Sequence, residues 1–303
     1  MSRRESAGAP PPPAARPEGV LRVVGTPIGN LDDLSPRAVA TLRGCALVAC
    51  EDTRVTRVLL DRHGIQVPVV SCHRFNEHSR SERILQVLAG GSDVALVTDS
   101  GTPGVSDPGA AVVRAARAAG LAVSPIPGPS AVAALWSVSG LEGPFTFIGF
   151  LPQRHGERQR ALAGLASEPR PLVFYESPHR ILAMLEDAAA VLGERRALAG
   201  RELTKIHEEV IAGSLQEIRE RLAARTIRGE FTLIVAPGAG TAAGAGAEED
   251  GAAGADQLDA AADEVARLVE AGIDRGTALK RVARQRGVPR RALYDHLVRR
   301  KRP

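Results

Sequence analysis

The residues best suited to chemistry stand in three short polar runs, each directly after an apolar segment. They are Glu51-Asp52-Thr53-Arg54 after CALVAC, Glu176-Ser177-Pro178-His179-Arg180 after PLVFY, and Arg201-Glu202-Leu203-Thr204-Lys205 after RALAG. Asp52, Glu176 and His179 carry groups that could take a proton from a hydroxyl, and they form the shortlist for a general base. Arg54, Arg180, Arg201 and Lys205 could hold phosphates, the contacts that set the position of a nucleic acid. Each run also has a plainer reading. Asp52 or Thr53 could cap a helix, His179 could be a surface imidazole, and Arg201, Glu202 and Lys205 could pair among themselves.

Three loops rich in Gly and Pro also follow apolar runs: GTPIGN (25–30), DSGTPGVSDPG (99–109) and PGPSA (127–131). In open α/β sheets, loops at the carboxyl ends of strands line the ligand crevice. Glycine there lets backbone amides approach a ligand, and proline fixes the loop shape. One such loop would read as an ordinary turn; three together point to a binding site. The chain has no G-x-G-x-x-G and no G-x-x-x-x-G-K-[ST], and its only lysines are Lys205, Lys280 and Lys301. The usual phosphate-cradling loops are therefore excluded. A ligand with an adenine, a ribose diol and an amino-acid tail would suit such loops, but these residues alone do not choose it.

The elements that must hold these loops are legible as apolar runs bounded by turn residues. Residues 20–25, 45–50, 94–99, 122–127, 146–150, 171–177, 196–203 and 230–237 read as buried strands. Ser35-Pro36, Asp107-Pro108 and Ser177-Pro178 read as helix starts, with a capping oxygen beside a first-turn proline. Alternating β and α units predict an α/β protein. A break near PGPSA predicts two α/β subdomains, 19–128 and 129–237, with a cleft between them. Residues 1–18, rich in Pro, Ala and Arg, read as a disordered tail. Residues 238–256, a run of Gly, Ala and acids, read as a flexible linker.

After the linker, amphipathic segments at 258–271 and 276–285 and the sequence GVPRRALYDHL (287–297) predict a basic helix-turn-helix-like module over 257–303. Between Arg275 and Arg302 the one acid, Asp295, faces eleven basic residues. The whole chain carries only +4, so this block is where a polyanionic partner would dock; a solvated basic tail is the alternative. Cys45, Cys50 and Cys72 form no C-x-x-C pair and read as small buried hydrophobes. With seven scattered histidines, no metal site is expected. No apolar run approaches the roughly 18 residues of a membrane span, and no apolar run follows Arg3 and Arg4. No membrane association is expected, and a cytoplasmic location is.

Eight segments then carry a resemblance in their order and spacing: VVGTPIGNLDDLSPRA, VACEDTRVTRVLL, VTDSGTPGVSDPG, PIPGPSA, FIGFLP, FYESPHRI, RELTKIHEE and GEFTLIV. Over about residues 20–237 the chain resembles the ribosomal-RNA-modifying members of the tetrapyrrole methylase superfamily, also called class III methyltransferases. The resemblance implies two α/β subdomains, a homodimer, and S-adenosyl-L-methionine folded into the cleft. It implies cofactor contacts from Ile28, from Asp99, Gly101, Thr102 and Val105, from Ser130 and Ala131, and from Glu176, Leu203 and Thr232 at strand ends of the second subdomain. Where relatives often carry Gly-Asp-Pro, this chain has Gly101-Thr102-Pro103, which leaves less negative charge for the cofactor's amino group. The activity implied is 2′-O-methylation of a cytidine ribose in 16S rRNA, within the small ribosomal subunit. A tetrapyrrole methyltransferase of the precorrin type and a cofactor-sensing DNA-binding regulator are the alternatives.

Overall fold

The computed structural model describes residues 18–73, 76–238, 255–286, 288 and 290–300. The chain divides into two compact units, residues 1–245 and 246–303. The first unit is built on two five-stranded sheets. Residues 1–17 and 239–254, which hold nearly all of the expected tail and linker, lie outside the described residues.

The first sheet contains β1 (Leu21–Val24), β2 (Leu47–Cys50), β3 (Val69–Ser71), β4 (Val94–Leu96) and β5 (Val123–Ile126), in the order β3-β2-β4-β1-β5. All its pairings are parallel. Parallel strands are covered on both faces, which is why these segments read as continuous apolar runs and not as alternations. Strand pleating divides them: Val48 and Cys50 pack with Leu42 of α1 (Pro36–Gly44) and Leu60 of α2 (Thr53–Arg62). Leu47 and Ala49 face the other way, onto Ile84 and Leu88 of α3 (Glu77–Ala89) and Val112 of α4 (Ala110–Ala118). The expected cap at Ser35 is present, its hydroxyl accepting from the Ala38 N–H at 3.1 Å.

The second sheet has the order β6 (Thr146–Phe150), β7 (Leu172–Glu176), β10 (Phe231–Val235), β8 (Arg196–Arg201), β9 (Glu209–Ser214). Only β6 and β7 run parallel; the remaining pairings are antiparallel. Leu172, Phe174, Leu233 and Val235 face α6 (His155–Gly164), α7 (Ile181–Leu192) and α8 (Leu215–Ala223) in one apolar core. The intervening Val173 and Ile234 face Val132 and Leu135 of α5 (Ala131–Ser137). Thus the chain joins the second sheet's packing as soon as the PGPSA loop ends.

Two strands lay outside the sequence reading, β3 and β9: the first is three residues long, the second mixes buried and exposed residues. Two helix starts also differ. Helix α4 begins at Ala110 behind Gly109, whose φ of 123° breaks the helix that Asp107-Pro108 would have opened. Helix α7 begins at Ile181, because residues 178–180 form a turn.

The second unit has α9 (Ala255–Glu270), α10 (Arg275–Arg286) and α11 (Arg290–Arg299), packed through Ala261, Val265, Leu279, Val282 and Leu293. Asp259, Glu264 and Asp263 on α9 pair with His296, Arg286 and Arg300. Part of the basic block therefore holds the three helices together. Arg275, Lys280 and Arg281 are exposed.

A candidate ligand cleft between two sheets

The three Gly/Pro loops leave β1, β4 and β5, which are adjacent in the first sheet. That adjacency makes them converge. Thr26 and Gly101 exchange backbone hydrogen bonds of 2.8 and 3.3 Å. The Thr26 hydroxyl adds a 3.1 Å bond to the Thr98 carbonyl. Gly25 and Gly128 cross so closely that a Cβ on Gly128 would stand 2.6 Å from the Gly25 carbonyl oxygen. Only two glycines allow the first and third loops to touch there.

The second sheet closes the other wall. A Cβ on Gly29 would meet Lys205 Cγ at 2.3 Å, and the Asn30 N–H donates to the Thr204 hydroxyl at 3.1 Å. Glu202 and Thr204 hold left-handed φ values of 49° and 67°, so the turn after β8 is bent sharply toward the first loop. Residues of both sheets and of all three loops thus line one cleft that opens to solvent.

Ile28, Gly101, Thr102, Val105, Ser130, Ala131, Glu176, Leu203 and Thr232 all line this cleft. Asp99 lies just outside it, in a shallower hollow that shares Ile28, Glu202, Lys205 and Glu230 with it. There Asp99 accepts the Asp52 N–H at 2.9 Å, and burial pushes its carboxyl above the ordinary value. The wall thus combines apolar Ile28, Val105, Leu203 and Phe231 with the carboxylate residues Asp107, Glu176, Glu202 and Glu230. Its one cation among the described residues, Lys205, is paired with Glu202 at 2.7 Å. Such a lining suits a ligand with an apolar body and a positive charge, and it disfavours phosphate.

The structure corrects most of the proton-acceptor shortlist. Asp52 caps α2, accepting the Arg54 N–H at 2.8 Å and pairing with the Arg54 guanidinium at 2.6 Å. That side-chain pairing, helped by the backbone bond, holds its carboxyl down at about 2, too acidic for a base at neutral pH. His179 is exposed on the turn before α7 and lines neither hollow. Glu176 does belong to the cleft wall, but its position in the strand pleat turns its carboxylate beneath α7. One oxygen accepts the Ser177 N–H at 2.8 Å and the other lies 3.2 Å from the Arg180 guanidinium. Desolvation outweighs these partners and raises its carboxyl.

The cations expected to hold phosphate divide in the same way. Arg180 donates to the Leu151 and Pro152 carbonyls at 2.7 and 3.2 Å, and Arg201 donates to the Arg228 carbonyl at 2.6 Å. Both are engaged in holding loops of the second sheet together. Arg54 is 89% exposed at its side chain and remains accessible. Lys205 stands at the cleft edge. The residue that the sequence reading missed is Asp107, on the cleft wall. Its signal was Gly109 two residues on, incompatible with a helix opening at Pro108.

A parallel and a mixed sheet, holding between them a pocket of Gly/Pro loops, define a two-subdomain methyltransferase fold. The chain belongs to the tetrapyrrole methylase family: the model of the tetrapyrrole (corrin/porphyrin) methylases matches residues 20–219. Among curated proteins, it is 45% identical to the ribosomal RNA small subunit methyltransferase I of Xylella fastidiosa (strain Temecula1) over 280 residues, 91% of this chain and 98% of that one. It is 42% identical to the protein of that name from Synechocystis over 279 residues, 91% of this chain and 96% of that one. Among solved structures, the methyltransferase CobJ superposes with a TM-score of 0.56 at 22% identity, covering 72% of this chain and 94% of that chain; this likeness concerns the fold.

Proposed function

We propose that this chain is an S-adenosyl-L-methionine-dependent methyltransferase acting on the 2′-hydroxyl of a cytidine in 16S rRNA, within the small ribosomal subunit. Near-full-length similarity to ribosomal RNA small subunit methyltransferase I carries the reading, and the charge of the cleft supports it. The sulfonium and amino group of the donor are cationic, and the cleft supplies carboxylates with its one cation already paired. Backbone of Gly101 and Ser130 can approach the donor's polar groups, while Ile28, Val105 and Leu203 cover its apolar parts. The donor supplies the methyl group on a positively charged sulfur. The chain's residues fix the acceptor oxygen in line with it and exclude water, effects worth roughly 7–11 kcal/mol at most.

A tetrapyrrole bearing many carboxylates would have to bring them against like charge. A nucleotide can present its neutral ribose edge and leave its phosphates at the rim, near Arg54. We place the protein in the cytoplasm as a homodimer, in keeping with its expected substrate; none of the described helices is long and apolar enough to cross a membrane. Transfer of tritium from labelled donor tests the reading, with small ribosomal subunits, naked DNA and uroporphyrinogen offered side by side. Label confined to nuclease-digestible RNA of the subunits is the expected result. Label in the porphyrinogen, or donor binding with no transfer to any of the three, overturns it.

The basic helical unit is assigned to RNA docking. In the full chain, replacing Arg275, Lys280 and Arg281 by alanine leaves donor affinity unchanged and weakens RNA binding. Fewer released counterions lower the dependence of log K on log salt by about 2. Deletion after residue 240 acts in the same direction and further. Filter binding across a salt series reads both, and an unchanged slope removes the unit from the RNA interface.

A further inference from the structure

The loop between β4 and α4 is more constrained than a ligand-binding turn needs to be. Within nine residues, Gly101, Gly104, Ser106 and Gly109 all hold left-handed φ values: 83°, 82°, 64° and 123°. Serine gains nothing from that conformation, and such backbone strain persists only where the surrounding structure holds it. The loop is pinned at four points. Thr26 fixes Gly101, the Gly104 N–H donates to the Pro108 carbonyl at 3.1 Å, and the Glu77 carboxylate accepts the Gly109 N–H. Gly149 of β6 leaves room for Ser106, whose Oγ would stand 2.4 Å from any Cβ placed there.

Of this loop's residues on the cleft wall, Asp107 is the one that carries a carboxyl group. Among the described residues no hydrogen bond or ion pair engages its carboxylate. It makes no cap, since α4 starts three residues later. Burial, then the negative charges of Glu51 at the end of β2, Glu230 ahead of β10 and Asp99 in its own loop, push its carboxyl up to about 7. On the second sheet, its charge in turn raises the Tyr175 phenol, secondary to that ring's own burial. Among the described residues, Arg54 acts on Asp99 and Lys205 is paired with Glu202. Glu77 on α3 is occupied by the Gly109 amide.

We propose that Asp107 is the general base of the transfer, taking the proton from the attacking ribose 2′-hydroxyl. The proposal rests on the methyltransferase reading above. As the ribose O–H bond breaks, its proton passes to an Asp107 carboxylate oxygen and the oxygen forms its bond to the methyl carbon. The sulfur–methyl bond breaks with its electron pair staying on sulfur. A carboxylate and a sulfonium cation become a neutral acid and a neutral thioether, so the partly desolvated cleft favours the products' lack of charge. Afterwards Asp107 returns its proton to water. A base matched to the working pH adds roughly 10²–10⁴-fold.

Asp107→Asn in the full chain tests this. Wild-type turnover on small ribosomal subunits climbs about tenfold per pH unit below neutrality and levels off above it. Turnover of the variant falls by roughly 10²–10⁴-fold and loses that limb. Asp107→Glu restores part of the rate together with the limb. Donor affinity by calorimetry falls by less than about thirtyfold, since Glu202 and Glu230 still give the cleft negative charge.

A readout without turnover comes from melting temperature. The folded carboxyl binds its proton more tightly than the unfolded one, at about 7 against 3.8, so the wild type loses stability as pH rises through that window. The advantage of Asp107→Asn in melting temperature should grow between these values and level off above. An unchanged pH limb in the variant, a melting difference flat with pH, or a donor affinity lowered more than thirtyfold overturns the assignment. The last outcome would make Asp107 a holder of the donor's charge. Failure of the wild type itself to bind donor would sink the methyltransferase reading, and the same calorimetry reveals it.

Discussion

Gly128→Val abolishes donor binding in a protein that still folds. The Cβ of any residue at 128 would lie 2.6, 2.7 and 2.8 Å from the carbonyl oxygen, carbonyl carbon and Cα of Gly25. These are backbone atoms of β1's own exit, tied to β5 by the Gly25 N–H to Ile126 carbonyl bond of 2.9 Å. No side-chain rotation relieves the clash, so the first and third loops must part by an ångström or more. Since Thr26 also holds Gly101, the second loop moves with them. Misplacement on that scale costs about 10²-fold where a site depends on geometry. We expect calorimetric affinity for S-adenosyl-L-methionine to fall by at least about 100-fold, or 2.7 kcal/mol. Gly44→Ala is the control: a Cβ at the end of α1 meets nothing within 4 Å. Wild-type affinity in Gly128→Val would remove the loop crossing from the binding site.

Asp187→Ala unfolds the protein more readily than removal of an ordinary core side chain. Asp187 on α7 and Arg158 on α6 are 4% and 7% exposed at their side chains, paired at 2.6 Å. His155 and Gln159 of α6 add contacts at 2.9 and 3.2 Å. Truncating the acid leaves a buried guanidinium with only the Gln153 carbonyl at 3.0 Å. Breaking one side of a buried pair costs about 3–5 kcal/mol, because the remaining charge stays desolvated. For a body of this size that is a drop in melting temperature on the order of 10 °C. The double change Arg158→Met with Asp187→Leu should recover most of it, since a packed apolar pair needs no compensation for lost hydration. Urea unfolding of the three proteins decides the matter; a loss under 1 kcal/mol in Asp187→Ala would mean that water reaches Arg158 freely. The stake extends to the cleft, because α7 follows directly on the Ser177–Arg180 turn beneath which Glu176 is held.

Apart from β3 and β9, the strands and the loops at their ends were legible in the residues alone. Parallel strands covered on both faces need unbroken apolar runs, and a loop that must cross another backbone needs glycine. Both demands are local in the chain, so VALVT followed by DSGTPG, or AVSPI followed by PGPSA, announces its role without neighbours. The adjacency of β4, β1 and β5 was not local: it depends on which strands pair, and only that pairing brings three separate loops to one ligand.

Side-chain roles among the charged residues were decided by the tertiary structure alone. Asp52, Arg180 and Arg201 have the right types for catalysis and phosphate binding, yet each found a partner that satisfied it first: an amide at a helix start, or a carbonyl in a distant loop. Asp107 looked like a cap and is instead held against the cleft by four left-handed residues. A charged group's function depends on which partners reach it and how much water remains around it. Those quantities are set by segments far apart in sequence, so no spacing rule could have supplied them.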